Sequence, residues 1–408
     1  MYMTRPLSLY RRDPSILSTL PQEQEGPNSG YLVIADEETE AEADTCCWGA
    51  CKNTVIRKLP FHQNQILDDE SSARHSVWFV PILDQPLSSN RYYVIIGSGK
   101  NKGKAWTSSR ERRDMSTSCF GSKVVIDVKP RVFDHRNIYQ QVEIFETKSG
   151  GFVAKSVAPE GFPPKFLGKK WWVEQKSDSR PYRLLGASGL NLSLRMRLPE
   201  LNFSISNQYS TTVVVGKWYC PLAFIREGDL KYQMKTNSAM FYKMTLEQFW
   251  EEIYECENDN YTPATTGNTN NIVSVRASVQ KESVKLFGEE AVKDDTNCGA
   301  DGFVWFKHVK QNQEGLSSLG LSIAIIEKMK WIQEIGGYVV GGGMGESEDD
   351  DDVVRVEKVE QFKGGEDGCW KRFGCFVLVE RFALKRMDGT LLLTCDYKHI
   401  HRIQSKWE

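Results

Sequence analysis

The sequence predicts an α+β fold dominated by antiparallel, sandwich-like sheets, with a few packed helices and two β-rich portions. Short runs of β-branched and aromatic residues recur along the chain, two segments carry hairpin turns, and only two segments have a helical apolar stripe. The chain has 408 residues, more than the roughly 250–300 at which a single hydrophobic core stops growing. Two domains are therefore expected.

Nine short segments predict strands, because each is rich in β-branched or aromatic residues and is bounded by turn residues. They are residues 31–34, 77–80, 92–96, 124–128, 142–145, 213–215, 303–306, 376–379 and 391–394.

Two turns predict antiparallel hairpins. Asp388-Gly389 lies between FVLVERFALKRM and TLLLTCDY, and an Asp-Gly pair suits the positive φ angles of a two-residue type I′ turn. The KSGG stretch at 148–151 is expected to join YQQVEIF to FVAKSV. Turns this short cannot make the crossover that parallel strands need, so both pairs are predicted to be antiparallel.

Two segments predict helices. In residues 245–256 (TLEQFWEEIYEC), Thr245 and Gln248 fit a capping box, and the apolar residues follow an i, i+3, i+4, i+7 stripe. Residues 317–335 carry a similar stripe, which ends at Gly336-Gly337.

The domain boundary is predicted near residues 198–201, where the chain contains a proline and is weakly patterned. This divides the chain into an N-terminal β-rich domain, 1–200, and a C-terminal α+β domain, 201–408. Mobile loops are expected near 258–271, which is polar, and near 341–352, where glycines precede an acidic run. The acidic run at 36–44 is expected to be a loop as well.

Charge and hydropathy exclude several classes of protein. The 52 basic and 54 acidic residues give a net charge of −2, so no overall field would attract nucleic acid or an anionic membrane. We find no apolar run of membrane-spanning length, and Pro6 and Arg11-Arg12 interrupt the place of a secretory signal. Ten cysteines without a secretory route indicate thiols rather than a disulfide framework. We expect a soluble protein of the cytoplasm, with the nucleus as an alternative, that is not secreted.

The segment 100–113 has the strongest local basic charge. Six basic residues and one acidic residue, Glu111, surround Trp106. The pattern allows an anionic-ligand site for nucleic acid or a phosphoinositide, but a solvated hairpin loop is the preferred interpretation. The candidate binding residues are Lys100, Lys102, Lys104, Trp106, Arg110, Arg112 and Arg113.

Cys46, Cys47 and Cys51 form a thiol cluster that could bind zinc or exchange disulfides. A zinc site needs a fourth ligand, and the paired C-x2-C spacing of zinc sites is missing. Unpaired thiols are the preferred interpretation, and no metal or other cofactor is expected.

Two histidines near the C-terminus are the candidates for chemistry. His399 and His401 lie two residues apart, so in a strand they would project from one face, with Asp396 nearby. Two imidazoles and a carboxylate could perform acid–base work or hold a metal. Ordinary polar residues near a sheet edge would explain the same pattern.

Long stretches of the chain resemble a known family. They include MYMTRPLSLYRRDP, EGPNSGYLVIADEE, VWFVPILDQPLSSNRYYVI, GGFVAKSVAPEGFPPKFL, VVVGKWYCPLAFIREG, MTLEQFWEEIYECE and VERFALKRMDGTLLLTCDYKHIHRIQSKWE. Together they resemble, over nearly the whole chain, the plant-specific family known as domain of unknown function 1262. The resemblance implies a land-plant protein, and it supplies no catalytic residue and no cofactor.

These observations favour a non-enzymatic binding or scaffold protein with a protein or small-molecule partner. The sequence lacks the short catalytic motifs of metalloproteases, α/β-hydrolases and dinucleotide-binding enzymes. Aromatic-rich segments, KKWWVE at 169–174 and WYCPLAF at 218–224, could line an interface. Two alternatives stay open. One is an enzyme with a site built from sequence-distant residues, and the other is an anionic-ligand binder that uses residues 100–113.

Overall fold

The fold was analysed in a computed structural model of the chain. It describes residues 1–21, 25–41, 45–46, 51–52, 55–61, 65–69, 74–110, 114–117, 123–175, 183–228, 233, 240–258, 271–294, 301–309, 318–338, 353–363 and 370–408. Strands dominate, most of them antiparallel, and helices are few, which confirms the predicted β-dominated α+β class. None of the helices in these ranges has the length and apolar character that crossing a membrane requires.

The strands within the described ranges, in chain order, are β1 (Tyr2–Pro6), β2 (Gly30–Ile34), β3 (Thr45–Cys46), β4 (Cys51–Lys52), β5 (Val55–Ile56), β6 (Gln65–Asp69), β7 (Arg74–Pro81), β8 (Arg91–Ile96), β9 (Ser109–Arg110), β10 (Met115–Thr117), β11 (Lys123–Val125), β12 (Gln141–Glu146), β13 (Phe152–Ser156), β14 (Gly161–Phe162), β15 (Trp171–Gln175), β16 (Gly189–Leu190), β17 (Val213–Pro221), β18 (Ile225–Glu227), β19 (Phe241–Glu257), β20 (Ile272–Gln280), β21 (Glu282–Leu286), β22 (Glu289–Asp294), β23 (Phe303–His308), β24 (Ser318–Ser322), β25 (Val353–Gln361), β26 (Arg372–Arg386) and β27 (Leu391–Trp407). The α-helices are α1 (Leu7–Arg12), α2 (Glu37–Ala41), α3 (Lys165–Gly168), α4 (Leu192–Arg197) and α5 (Ile323–Ile335). Single 3-10 turns span Pro14–Ser18, Leu87–Ser89, Ile138–Gln140 and Leu222–Phe224.

A twelve-stranded sheet forms the centre of the molecule. Its order is β18-β24-β23-β22-β21-β27-β26-β19-β17-β1-β2, and β16 pairs with β17. All neighbours are antiparallel except β1 and β2, which run parallel. The sheet combines strands from both sides of residue 200, and the division into two domains at that point stays a prediction.

Six further strands close into a ring, in the order β13-β12-β8-β7-β6-β15, and Phe152 of β13 pairs with Trp171 of β15 to complete it. β5 pairs with the same edge of β15 as β13 does, further along the strand at Val173 and Glu174. Rings from Phe61, Phe79, Phe152 and Trp171 fill the interior at centroid distances of 4.6 to 5.9 Å. Because side chains alternate along each strand, every second residue of this closed sheet points outward.

The closed sheet packs on the twelve-stranded sheet through part of its outer face. Trp78 of β7 stacks on Phe241 of β19 with centroids 6.0 Å apart, and the Tyr2 hydroxyl donates to the Pro81 carbonyl at 2.8 Å. Residues of both sheets therefore share the main hydrophobic cluster. Elsewhere on the outer face, Phe145, Lys155 and Trp172 are exposed.

The helix predicted at residues 245–256 was wrong, because this segment lies within β19. Its backbone pairs with β17 on one side and β26 on the other. Leu246 and Phe249 lie on opposite faces, and both are buried because the sheet is covered on its two faces here. An apolar residue was therefore acceptable at nearly every position, and the helical stripe arose from a strand that is buried on both sides.

The second predicted helix is confirmed in part. Residues 318–322 form β24 between β18 and β23, and the helix α5 begins only at Ile323. It ends at Gly336 and Gly337, as expected, and Gly337 has a φ of 79°. Pairing on both edges of 318–322 satisfies more backbone groups than an extra turn of helix would, so the strand replaces the first predicted turn.

The hairpin at Asp388-Gly389 is confirmed, but its turn type differs from the prediction. Arg386 and Thr390 close a three-residue loop through an Arg386 N–H bond to the Thr390 carbonyl at 2.9 Å. Within this loop, only Gly389 has a positive φ, 96°. This is the three-residue loop with a glycine bulge, which needs one left-handed residue where a type I′ turn needs two.

Of the remaining predictions, several are confirmed, one is wrong, and two lie mostly outside the described residues. The KSGG turn joins β12 and β13 as predicted. The predicted strands are all present, although 124–128 narrows to β11. Residues 37–41, expected in a loop, form α2, whose first turn is capped by the Asp36 carboxylate accepting from the Thr39 N–H at 3.1 Å. Residues 259–270 of the loop predicted near 258–271, and all of the loop predicted near 341–352, lie outside the described residues.

Candidate functional site

β27 brings Asp396 and His399 to opposite faces of the central sheet. Asp396 pairs in register with Arg381, and His399 pairs with Leu378. Arg381 holds Asp396 through two bonds of 2.6 and 2.7 Å and lies over the Phe249 ring. Because the sheet separates the two side chains, Asp396 and His399 do not converge on a common ligand.

These two candidates are not exposed polar residues at a sheet edge, as the alternative interpretation held. β27 lies inside the sheet between β21 and β26, and Asp396 and His399 are buried. His401 is exposed. It lies in a bulge, since His399 pairs with Leu378 while Ile403 pairs with the next residue, Val377.

His399 belongs to a buried ionic network that the sequence analysis did not find. Its Nε2 lies 3.2 Å from Glu380 Oε2. Arg195 of α4 donates to both Glu380 oxygens, from Nε at 2.7 Å and from Nη2 at 2.5 Å. Gln248 of β19 donates to Glu380 Oε1 at 2.9 Å. Glu380 therefore receives hydrogen bonds from two other elements and contacts a third.

The network links the sheet to the helices above it. Arg195 Nη1 donates to the Ile332 carbonyl of α5 at 2.8 Å, so a single guanidinium connects α4, β26 and α5. The side chains of Arg195 and Glu380 are 5% and 1% exposed. A buried, hydrogen-bonded ion pair fixes how these elements meet.

Glu380 is held as a carboxylate. Burial raises the pKa of its carboxyl, but hydrogen bonds and charge from Arg195 and His399 outweigh burial and bring the pKa well below its usual value. An ionised, enclosed carboxylate is suited to orienting Arg195 and His399. Among the described residues, this network brings Arg195, His399 and Gln248 together on the single carboxylate of Glu380.

The histidine pair extends from this buried network toward the surface. The ring centroids of His399 and His401 are 5.5 Å apart, and Tyr338 lies edge-on to His399 at 5.5 Å. Partial burial lowers the pKa of His401, and the neighbouring His399 and Arg402 act in the same direction. The predicted proximity of the two imidazoles is thus present in the structure.

The basic segment is spread over different environments. Trp106 packs against Phe166 beside the interior of the closed sheet, and Arg110 stacks on the Tyr139 ring at 4.1 Å. Lys100 is exposed in a turn closed by the bond from the Gly103 N–H to the Ile96 carbonyl at 2.8 Å, with Lys102 and Lys104 half-buried. Arg112 and Arg113 lie outside the described residues. The expected hairpin loop is present, and the anionic-ligand site stays a prediction.

A shallow cavity of about 490 Å³ lies next to this segment. It is lined by Asp114, Ile126, Asp127, Val128, Lys129, Pro130 and Arg131. Carboxylates and cations alternate around it, so it has no net preference for an anion.

The thiol cluster is only partly described. The backbones of Cys46 and Cys51 pair in the hairpin of β3 and β4, while Cys47 and the side chains of the other two lie outside the description. Across the described ranges, no group of three histidine, cysteine, aspartate or glutamate side chains is placed to hold a metal ion. Cys220, Cys375 and Cys395 are buried thiols, and burial raises the pKa of Cys220 to about 12.

An aromatic and cationic strip lies on the outer face of the closed sheet. We define it by Trp172, Phe145, Lys155 and Lys170. Trp172 and Phe145 are 39% and 37% exposed, Lys170 Nζ lies 4.7 Å over the Trp172 ring, and Lys155 Nζ lies 4.9 Å over Phe145. Side chains alternate along β15, so Trp172 faces outward while the preceding Trp171 is fully buried inside the closed sheet.

β13 joins the two halves of the aromatic strip. Val153 of β13 pairs with Phe145. Gly151 comes two residues before Val153, and a Cβ atom placed on Gly151 would lie 3.4 Å from the Trp172 ring. The KKWWVE pattern pointed to this surface, whereas WYCPLAF lies in the core, with Trp218 and Tyr219 buried. Phe145 could have been found as an apolar residue at an outward position of β12.

Comparisons with known proteins relate only part of the chain to a family. No curated protein matches the sequence significantly. Among solved structures, the crystal structure of Cry35Ab1 aligns with a TM-score of 0.39 and 11% identity, over 83% of this chain and 81% of that chain. The resemblance noted over nearly the whole sequence is supported over a shorter stretch: residues 25–120 match the family described as Protein of unknown function (DUF1262).

Proposed function

We propose that this protein is a non-enzymatic binding protein, and that the aromatic strip docks an acidic segment of a partner protein that also carries apolar side chains. The observation that carries the proposal is the exposure of two large rings on a rigid closed sheet, each covered on one side by a lysine. Surfaces of this kind combine apolar contact with charge recognition.

The rings supply the apolar part of the interaction. Trp172 and Phe145 stand on neighbouring parts of three paired strands, β15, β13 and β12. Their backbones are held by the sheet and by the aromatic interior below, so binding would order few additional groups. Aromatic anchors on a rigid support are the usual source of large contributions to affinity.

The lysines decide the charge of the partner. On the same outer face, Arg91 is paired with Glu143 at 3.2 Å, and Arg74 is paired with Glu174. Lys155 and Lys170 have no carboxylate within ion-pair distance among the described residues, although Lys170 Nζ donates to Ser149 Oγ at 2.8 Å. The two ammonium groups therefore leave a local positive excess that favours carboxylates on the partner.

The cellular setting forms part of the same proposal. Buried thiols at Cys220, Cys375 and Cys395 suit a reducing compartment, which supports the expected cytoplasmic or nuclear location. The land-plant origin implied by the whole-chain resemblance also stays a proposal, as do the enzyme and anionic-ligand alternatives.

The test compares affinity purification of the wild-type protein with two variants. Trp172→Ser combined with Phe145→Ser removes the rings, and Met196→Ser is the control, since Met196 is 79% exposed and lies on α4 away from the closed sheet. We expect a protein that is recovered with the wild type and the control and lost with the double variant. The direct complex, rebuilt from purified components, should weaken at least about tenfold without the rings.

The same experiment can refute the proposal. If no protein depends on the two rings, or if the purified complex binds the double variant as tightly as the wild type, the strip is not the binding surface. Thermal unfolding of the double variant should match that of the wild type, so that lost binding is not lost folding.

A further inference from the structure

A two-stranded ribbon stands apart from the larger sheets. β20 and β25 pair antiparallel over nine positions, from Ile272 with Gln361 to Gln280 with Val353. Val273 and Val275 point inward and pack with Phe373 and Cys375 on the far ends of the long strands. The ribbon is therefore a second layer, held by its inner face.

One edge of β25 has no backbone partner among the described residues. Its pairing with β20 uses one side of the strand, and no bond joins the other side to any described segment. A nine-residue strand with a free edge presents a row of N–H and C=O groups that can accept another strand. Stable isolated proteins usually protect such an edge.

The outward residues of β25 are complementary to themselves. Val353, Arg355, Glu357 and Val359 are exposed, and the two valines are 53% and 70% exposed. If a second β25 lies antiparallel with Val356 on the two-fold axis, Val353 faces Val359 and Arg355 faces Glu357. In this register the residues opposite each other are two apolar pairs and two opposite-charge pairs.

The same register extends a row of charges across the ribbon. Arg276 of β20 already lies opposite Glu357 in the pairing of β20 with β25. Across the two-fold axis, Glu357 would next meet Arg355 of the second copy, so the signs alternate along the row. Two copies of β20 could not pair with opposite charges facing each other, because Arg276 is the only charged residue of this strand.

We propose that two copies of this chain associate through the free edges of β25, which form one continuous antiparallel four-stranded sheet centred on Val356. The contact is isologous and closes on itself, so it produces a dimer and not a fibre. Main-chain hydrogen bonds supply the pairing, and the Arg355–Glu357 and Val353–Val359 contacts select the register. This inference is independent of the binding function proposed for the aromatic strip.

Charge reversal tests the register in solution. Arg355→Glu or Glu357→Arg alone places like charges opposite each other twice per dimer. The dissociation constant, measured by sedimentation equilibrium, should rise about tenfold or more. The double variant Arg355→Glu/Glu357→Arg restores both opposite-charge pairs across the axis and should recover most of the dimerisation, although Glu357→Arg also places a like charge opposite Arg276 within each ribbon.

Mixing the two single variants separates a contact between copies from one within a chain. Arg355 and Glu357 also approach each other in the same strand at 3.1 Å, and each single variant loses that contact. A mixture of the two variants nevertheless restores both opposite-charge pairs across the axis, so heterodimers should form where each variant alone is monomeric. Arg197→Glu, an exposed reversal on α4, should leave dimerisation unchanged.

Three results would overturn the proposal. These are a wild-type protein that stays monomeric at about 100 μM, above the dissociation constant of a specific dimer, a double variant as weak as the singles, or a mixture without heterodimers. Circular dichroism of every variant should match that of the wild type.

Discussion

Replacing Glu380 tests whether the buried ionic network determines the stability of the fold. Glu380→Gln keeps the size of the side chain but removes the charge that compensates Arg195, which is held on both carboxylate oxygens. Arg195 then stays enclosed without an anionic partner, because its side chain is 5% exposed. Arg195→Met creates the opposite defect and leaves the carboxylate of Glu380 with Gln248 and His399.

The size of the effect follows from burial. Removing one partner of a buried pair costs about 3–5 kcal/mol, because the remaining charge has lost its solvation and its partner. Removing both partners in Arg195→Met/Glu380→Met should cost much less than the sum, since no buried charge remains. We expect a coupling free energy of at least about 2 kcal/mol in this double-mutant cycle.

Urea unfolding, followed by circular dichroism, measures each free energy of unfolding. Acid provides an independent readout with a defined sign. The pKa of Glu380 in the folded state lies below the 4.5 of the unconstrained carboxyl, so the stabilisation is present above pH 4.5 and is lost as the pH falls below it. The difference between the wild type and Glu380→Gln should therefore narrow in acid.

Glu160→Gln is the matched control, since Glu160 is exposed, and its cost should stay below about 0.5 kcal/mol. Single replacements that cost less than about 1 kcal/mol, or strictly additive costs in the cycle, would contradict this prediction. A gap between the wild type and Glu380→Gln that stays constant from pH 7 to pH 3 would also contradict it.

Three further predictions test other parts of the fold. Burial lowers the pKa of Lys328 to about 8, so as the pH rises the folded protein releases this proton at a lower pH than the unfolded chain does. Between pH 8 and 10.5, the wild type should therefore gain on the order of 1–3 kcal/mol of stability relative to Lys328→Met. A difference in urea unfolding that does not change with pH would contradict this. Trp171→Ala should lower the free energy of unfolding by about 3–5 kcal/mol and Trp172→Ala by under about 1 kcal/mol, because only the Trp171 side chain fills the interior of the closed sheet. Equal losses would show that the inner and outer faces of β15 are wrongly assigned. Gly389→Ala should lower the free energy of unfolding by about 1 kcal/mol, because φ is 96° there. Gly186→Ala, with open space around it, should have little effect in the same urea unfolding assay, and equal costs for the two variants would contradict this.

Local sequence was sufficient where a short-range physical requirement determines structure. The strands around Val94, Ile144 and Val377 were predicted because β-branched and aromatic residues fit a pleated, buried surface. The hairpin at Asp388-Gly389 was predicted because glycine accepts a positive φ, although the loop proved one residue longer. The end of α5 at Gly336 followed from the same preference.

The candidate site shows where local reasoning stops. His399 could be named from the spacing of two histidines, but Arg195 lies 185 residues from Glu380 in the chain. A charged residue inside the apolar run FVLVERF was a usable signal for Glu380, since burial of a charge requires a partner. Which residue supplies that partner depends on how α4 lies over the sheet.

The sequence by itself determined the β-dominated class, most strand positions and the main turns, because these depend on side-chain shape and on backbone freedom over a few residues. Tertiary structure decided the rest. It placed 245–256 in a strand, since partners on both edges and cover on both faces outweigh a helical stripe. It also decided which charges meet, which tryptophan is buried and which strand edge has no partner among the described residues, because each of these depends on segments distant in the chain.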